Sequence, residues 1–135
     1  MYAADLVVPT RGIGCYEITA EIAEHVARSG VRDGLAVVFV RHTSASLLIQ
    51  ENADPTVQAD LLEFLARIAP EGAGYRHASE GPDDMPSHLR SAITHTSEVI
   101  PVAAGRLALG TWQGVYLLEH RRAARTRRVR LVVIG

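Results

Sequence analysis

The last third of the chain constrains the fold most. Val99 to Val102, Arg106 to Thr111, Val115 to Glu119 and Arg128 to Ile134 each read as a strand, with Gly105 and the Arg122–Thr126 segment as hairpin turns between them. Earlier in the chain, strands alternate with helices. Leu6 to Val8 is a short strand closed by Pro9, Gly12 and Gly14, and Ile18, Ile22 and Val26 recur at the spacing of one helix face that ends at Gly30. Leu35 to Val40 is a continuous apolar run, too short for a helix, which predicts a strand buried on both faces. Ser46 to Glu51 reads as the next strand. Asp54-Pro55 then opens a helix striped with Val57, Leu61, Leu62, Leu65 and Ile68, stopping near Pro70. Glu71 to Met85 is a long loop, and Pro86 opens a short helix through Ile93. Strands grouped late, with helices among the earlier ones, predict a single α+β domain over residues 1–135: a large, mostly antiparallel sheet with a few helices packed on it.

Charge excludes several function classes. The 14 basic residues, all arginine, nearly cancel the 15 acidic ones, and the net charge of -1 predicts no nucleic-acid or membrane partner. Without lysine, neither Schiff-base chemistry nor a lysine-bearing P-loop is available. Cys15 is the only cysteine, which rules out an internal disulfide and any CxxC motif. The first residues carry no basic region followed by an apolar stretch, and no apolar run reaches the ~20 residues of a membrane span. Cytoplasmic residence is the expectation.

Four of the six histidines stand in polar company at element ends. His42 precedes Thr43-Ser44, His77 lies three residues before Glu80, His88 follows Asp83-Asp84-Met85-Pro86-Ser87, and His120 follows Glu119. Neutral imidazole is the commonest metal ligand, and three histidines with water would make an open catalytic site of the zinc type. The spacings match no local signature such as HExxH, so the fold must bring these residues together. His25 and His95 read as ordinary, with His25 exposed on its helix. Glu80-Gly81-Pro82-Asp83-Asp84 gathers three carboxylates around a turn. They suit a hard cation, or equally a solvated loop in which Asp84 caps the next helix. Trp112, between Gly110 and Gly114, reads as the cover of an apolar edge in preference to a ligand-stacking platform. Six arginines between Arg121 and Arg130 read as a solvated face or subunit contact, with Arg121 the best placed to meet phosphate.

The order of these motifs resembles the YjbQ family of secondary thiamine-phosphate synthase-like proteins. The series is His42-Thr43-Ser44-Ala45-Ser46, Gln50-Glu51-Asn52-Ala53-Asp54-Pro55, Tyr75-Arg76-His77, Glu80 through His88, Gly110-Thr111-Trp112-Gln113-Gly114 and Glu119-His120-Arg121. Some relatives carry cysteine where Ala53 stands, so a cysteine nucleophile at this position is impossible here. The resemblance implies an α+β fold, a homotrimer and a histidine-rich cleft that holds a divalent metal, zinc or magnesium. It also implies a weak thiamine-phosphate synthase activity, which joins a pyrimidine methyl diphosphate to a thiazole phosphate and releases diphosphate. On that reading His77, His88 and His120 are metal ligands, and His42, Asp84, Glu119 and Arg121 serve catalysis. Thr43, Ser44, Asn52, Trp112 and Gln113 bind a small phosphorylated metabolite. The alternative is a trimeric metal-, anion- or metabolite-binding module without significant turnover.

Overall fold

A computed structural model describes residues 1–135. The elements run β1 (Tyr2–Arg11), β2 (Gly14–Glu17), α1 (Thr19–Ser29), β3 (Gly34–Val40), β4 (Ala45–Glu51), α2 (Pro55–Ile68), α3 (Asp84–Ile93), β5 (Ser97–Ala103), β6 (Arg106–Leu107), β7 (Gln113–Glu119) and β8 (Ala124–Ile134). The architecture is the α+β one expected, with every strand pair antiparallel. The strands divide between two sheets, one of five in the order β1-β8-β3-β5-β6 and one of three in the order β2-β7-β4.

Period-two patterning sets which face each strand buries. In β8, Val129, Leu131 and Val133 point inward while Arg128 and Arg130 face out. In β3, Ala36, Val38 and Val40 are buried, whereas Leu35 and Phe39 remain 44% and 46% exposed. The strand is therefore covered on one face only, contrary to the reading of its apolar run. One core of 16 residues draws on the inner faces of both sheets and on Ile22 and Val26 of α1. Helix α2 starts as its sequence dictates: the Asp54 carboxylate accepts from the Thr56 amide at 2.9 Å and Pro55 takes the first turn. Of its apolar stripe only Leu65 is fully buried, and Phe64 and Ile68 stay exposed. No helix is long and apolar enough to cross a membrane.

Three local readings change. β1 spans ten residues because all ten pair with β8, from Tyr2↔Val133 to Arg11↔Ala124, and Pro9 is tolerated because β1 is an edge strand. β2 has no alternation of its own and exists through its pairing with β7, Gly14↔Glu119 to Glu17↔Tyr116. The Arg122–Thr126 segment is not a hairpin turn: after Glu119 the chain leaves the three-stranded sheet and enters the five-stranded one. The turn at Gly105 is real. Ala104 and Gly105 both have positive φ, 51° and 77°, which matches the two-residue I′ geometry that suits the twist of paired strands. β6 beyond it is only two residues long.

Candidate metal centre

Helix α3 begins at Asp84, two residues before Pro86, so this proline occupies the first turn, where its missing amide would have no helical partner anyway. Asp84 is not the cap. Its carboxylate turns inward, 1% exposed, and His88 follows one helical turn later on the same face. The His88 Nε2 atom lies 3.3 Å from Asp84 Oδ2, and His77 Nε2 lies 2.7 Å from the same oxygen. One donor atom each from His77, Asp84 and His88 falls within 4.8 Å of the others. His77 arrives on the loop between α2 and α3, which Gly72, Gly74 and Gly81 bend through positive φ.

Two side chains of this trio, His88 and Asp84, are held from outside it. The Thr43 carbonyl can only accept, so His88 Nδ1–H donates to it at 2.9 Å and leaves the Nε2 lone pair toward Asp84. The other Asp84 oxygen accepts from Arg121 Nη1 at 2.7 Å. Burial works against the Asp84 charge, yet the His77 hydrogen bond and the nearby Arg121 hold its carboxyl below the ordinary range. An ionised carboxylate cannot donate, so His77 Nε2–H is the donor in this pair. A divalent ion bonded at about 2.0–2.2 Å would replace that proton and bring three N and O donors to roughly these separations. The donor set fits such an ion.

Arg121 is committed to organising this site. Its Nε donates to Asp83 at 3.0 Å, Nη1 to Asp84, and Nη2 to the Glu80 carbonyl at 3.0 Å. The bond to Asp83 pushes its pKa further up, and burial of Asp83 is outweighed by the Arg122 amide and Arg121, which hold that carboxyl low. With three of its five N–H donors given to Asp83, Asp84 and Glu80, this guanidinium is a clamp on the acidic loop.

The other site residues predicted from sequence scatter. Glu119 is fully buried and saturated by Arg127, by the Thr10 hydroxyl at 2.6 Å and by the Arg121 amide at 3.1 Å. It contacts none of His77, Asp84 and His88. His120 is also outside the trio: its Nε2 pairs with Ser46 Oγ at 2.8 Å and its buried Nδ1 has no partner. Burial first, then the Arg90 charge, pushes its pKa down to about 4. The Ser44 hydroxyl is buried and accepts from Arg127 at 2.9 Å. Asn52, Trp112 and Gln113 stand at the far end of the three-stranded sheet. Glu51 pairs with Gln113 there, while Ala45 pairs with Glu119 six residues, about 20 Å, away. They hold a turn, with Asn52 N donating to Trp112 O at 3.0 Å and Gly110 N to Gln113 Oε1 at 2.8 Å. Trp112 is 64% exposed, so it is not packed over an apolar edge as its sequence position predicted.

Two clefts flank the trio. One of about 490 Å³ is lined by His42, Thr43 and His88 together with Arg41, Phe39 and Ser91 among others. The second, about 500 Å³, is lined by His77, Tyr75, Met85 and the bent glycine loop. His88 and His77 thus each face a different cleft, with Asp84 buried behind both. Arg41 and the Thr43 carbonyl were missed from sequence. Arg41 lies outside every motif, the sequence reading makes Thr43 a metabolite-binding residue with no role for its carbonyl, and both roles exist only once β3 ends beside α3.

The sequence model of the YjbQ-like UPF0047 proteins matches residues 5–135. The chain belongs to the YjbQ family. Within it, a UPF0047 protein of Synechocystis is 56% identical over 131 residues, which covers 96% of this chain and 89% of the relative. The Escherichia coli O157:H7 YjbQ protein is 43% identical over 95% of this chain and 94% of its own length. Solved structures agree with the fold. A hypothetical protein of Aeropyrum pernix superposes with a TM-score of 0.92 at 33% identity, covering 100% of this chain and 99% of that one. A YjbQ/UPF0047 family protein of Clostridium acetobutylicum gives 0.90 at 36% identity, over 97% and 99%.

Proposed function

We propose that this YjbQ family chain holds a divalent ion on His77, Asp84 and His88 and acts as a metal-assisted transferase on phosphorylated heterocycles, of the thiamine-phosphate synthase type. The observation that carries the reading is the trio itself: three donors within 4.8 Å, His88 and Asp84 fixed from behind, with clefts on either side for a substrate to reach an open position. Two imidazoles and one carboxylate suit zinc better than magnesium, which prefers an all-oxygen shell. The bound ion would supply Lewis-acid stabilisation of negative charge on a departing diphosphate. The protein's own part is to orient the donors: Thr43 sets the His88 tautomer, and Arg121 sets the Asp84 rotamer. We place this activity in the cytoplasm and in a homotrimer, the latter because the outer face of the five-stranded sheet leaves Leu35, Phe39, Val99 and Ile134 exposed.

A specific observation favours the second reading, a metabolite-binding module. Arg121, the cation nearest the trio, already has each of its three guanidinium nitrogens bonded to the acidic loop and is held away from a leaving diphosphate. The two readings separate experimentally. Elemental analysis after zinc dialysis should show one ion per chain in the native protein and loss of it in His77→Ala and His88→Ala. Arg121→Ala should weaken zinc by about 10–100-fold through the loosened Asp84. Incubation with the pyrimidine diphosphate and thiazole phosphate should release diphosphate at a rate abolished by chelator. Zinc uptake unchanged in both histidine variants removes the metal site. A rate indifferent to chelator removes the transferase, and zinc binding without turnover leaves the binding module.

A further inference from the structure

We propose that the cleft beside His88 is a phosphomonoester-binding subsite whose donors are the Arg41 guanidinium, the His42 Nδ1–H and the Thr43 hydroxyl. It deepens the metal-site reading by naming the substrate class, and rests on that reading only for the direction in which the rest of a ligand would extend. The nine residues that line this cleft include no carboxylate. Arg41 is exposed into it and makes no ion pair and no side-chain hydrogen bond; only its backbone is engaged, donating to Arg128 O at 3.1 Å. Imidazole chemistry fixes His42. The Arg128 amide donates to its Nε2 at 2.8 Å, and an amide cannot accept, so the ring proton sits on Nδ1. That Nδ1–H has no acceptor in the chain. His42 is therefore a neutral, oriented donor. Half-burial and the positive field of Arg127, Arg128 and Arg41 disfavour a second proton on the ring. The Thr43 hydroxyl, next in sequence, is exposed and unpaired while its carbonyl holds His88.

Three unsatisfied donors converge on one cleft, one of them a full positive charge, and Phe39, Val40 and Ala92 supply an apolar wall. A tetrahedral dianion on a small organic body matches both halves of that lining: a guanidinium takes two phosphate oxygens, and the imidazole and hydroxyl take the rest. His88 stands on the same lining and also belongs to the ion trio, so a phosphate ester seated here would direct its other end toward the ion position.

The test is titration of inorganic phosphate into intact, chelator-treated protein, followed by calorimetry or phosphorus NMR. One saturable site is expected, weakened about tenfold or more by Arg41→Ala and severalfold by Thr43→Val. Arg106→Ala, which removes an exposed arginine on another strand, should leave the affinity within about twofold and so controls for net charge. No saturable binding overturns the proposal, as does equal weakening by Arg41→Ala and Arg106→Ala. Phosphate that binds only after zinc is restored also overturns it, because the oxyanion would then sit on the ion. The chelator makes the outcome independent of the metal site, whose own failure reads out as absent zinc uptake in a separate dialysis.

Discussion

At His120 a polar side chain is locked into the core with one ring nitrogen bonded to Ser46 and the other unpaired. Its folded pKa of about 4 lies below the ordinary histidine value of 6.5, so the unfolded chain takes up a proton first as pH falls. Stability is therefore full above pH 6.5, declines through the window from 6.5 to 4, and loses on the order of 3 kcal/mol across it. Urea unfolding at pH 7.0 and pH 5.0 checks this: the native protein should weaken by about 2 kcal/mol, and His120→Gln should remove most of that difference. The neighbouring Glu119 behaves oppositely, since burial raises its pKa less than Arg127 and Thr10 lower it, and it stays ionised. Sequence could name His77 and His88 as ligands and Asp84 as a catalytic carboxylate, and these three sit close together along the chain, at spacings a loop and one helix turn can close. It could not see that Glu119 is taken by Arg127 in another sheet and by Thr10 at the opposite end of the chain. A carboxylate next to a histidine looks the same whether its partner is an ion or a buried arginine.

Among the elements, those with their own periodicity were legible: α1 from Ile22 and Val26, α2 from its Asp54-Pro55 start, and the alternation in β8. Those made by a partner were not. β2 carries no pattern, and the one-sided burial of β3 depends on which strands flank it, β8 and β5. The hairpin of β5 and β6 shows how turn chemistry and sequence can disagree. Its first turn residue is Ala104 at φ 51°, where an L side chain is strained by about 1 kcal/mol and asparagine is favoured. Ala104→Asn should raise stability by about 0.5–1 kcal/mol, and the melting temperature by a few degrees. Calorimetry at neutral pH decides the sign.

For the whole molecule, the outward-facing apolar residues of β3, β5 and β8 form a surface larger than scattered exposure explains. Leu35 lies opposite Ile134 on one side and Pro101 on the other, and Val37 opposite Val132 and Val99, so the exposed side chains are contiguous across three strands. The proposed homotrimer would bury this face. Val37→Glu would place a charge at its centre, between Val99 and Val132, and should shift the sedimentation coefficient from a trimer to that of a 14.6 kDa monomer. An assembly unchanged by that substitution would locate the contact elsewhere, and a native protein that sediments as a monomer would end the idea.

The position of β8 reaches beyond stability. It is the strand closest to the C-terminal end, yet it sits inside the five-stranded sheet, flanked by β1 from the opposite end of the chain and by β3. During synthesis β1 and β3 would therefore emerge as two separate edges with a strand-wide gap between them, and nothing made before Ala124 can fill it. Completion of this sheet must wait until β8 has emerged, and the pairing that completes it closes a loop of more than a hundred residues. Until then the unpaired edges are open to neighbouring nascent chains. A ribosome that stalls between β7 and β8 would thus leave an adhesive fragment, whereas one that passes Ile134 has supplied the strand that seals the sheet.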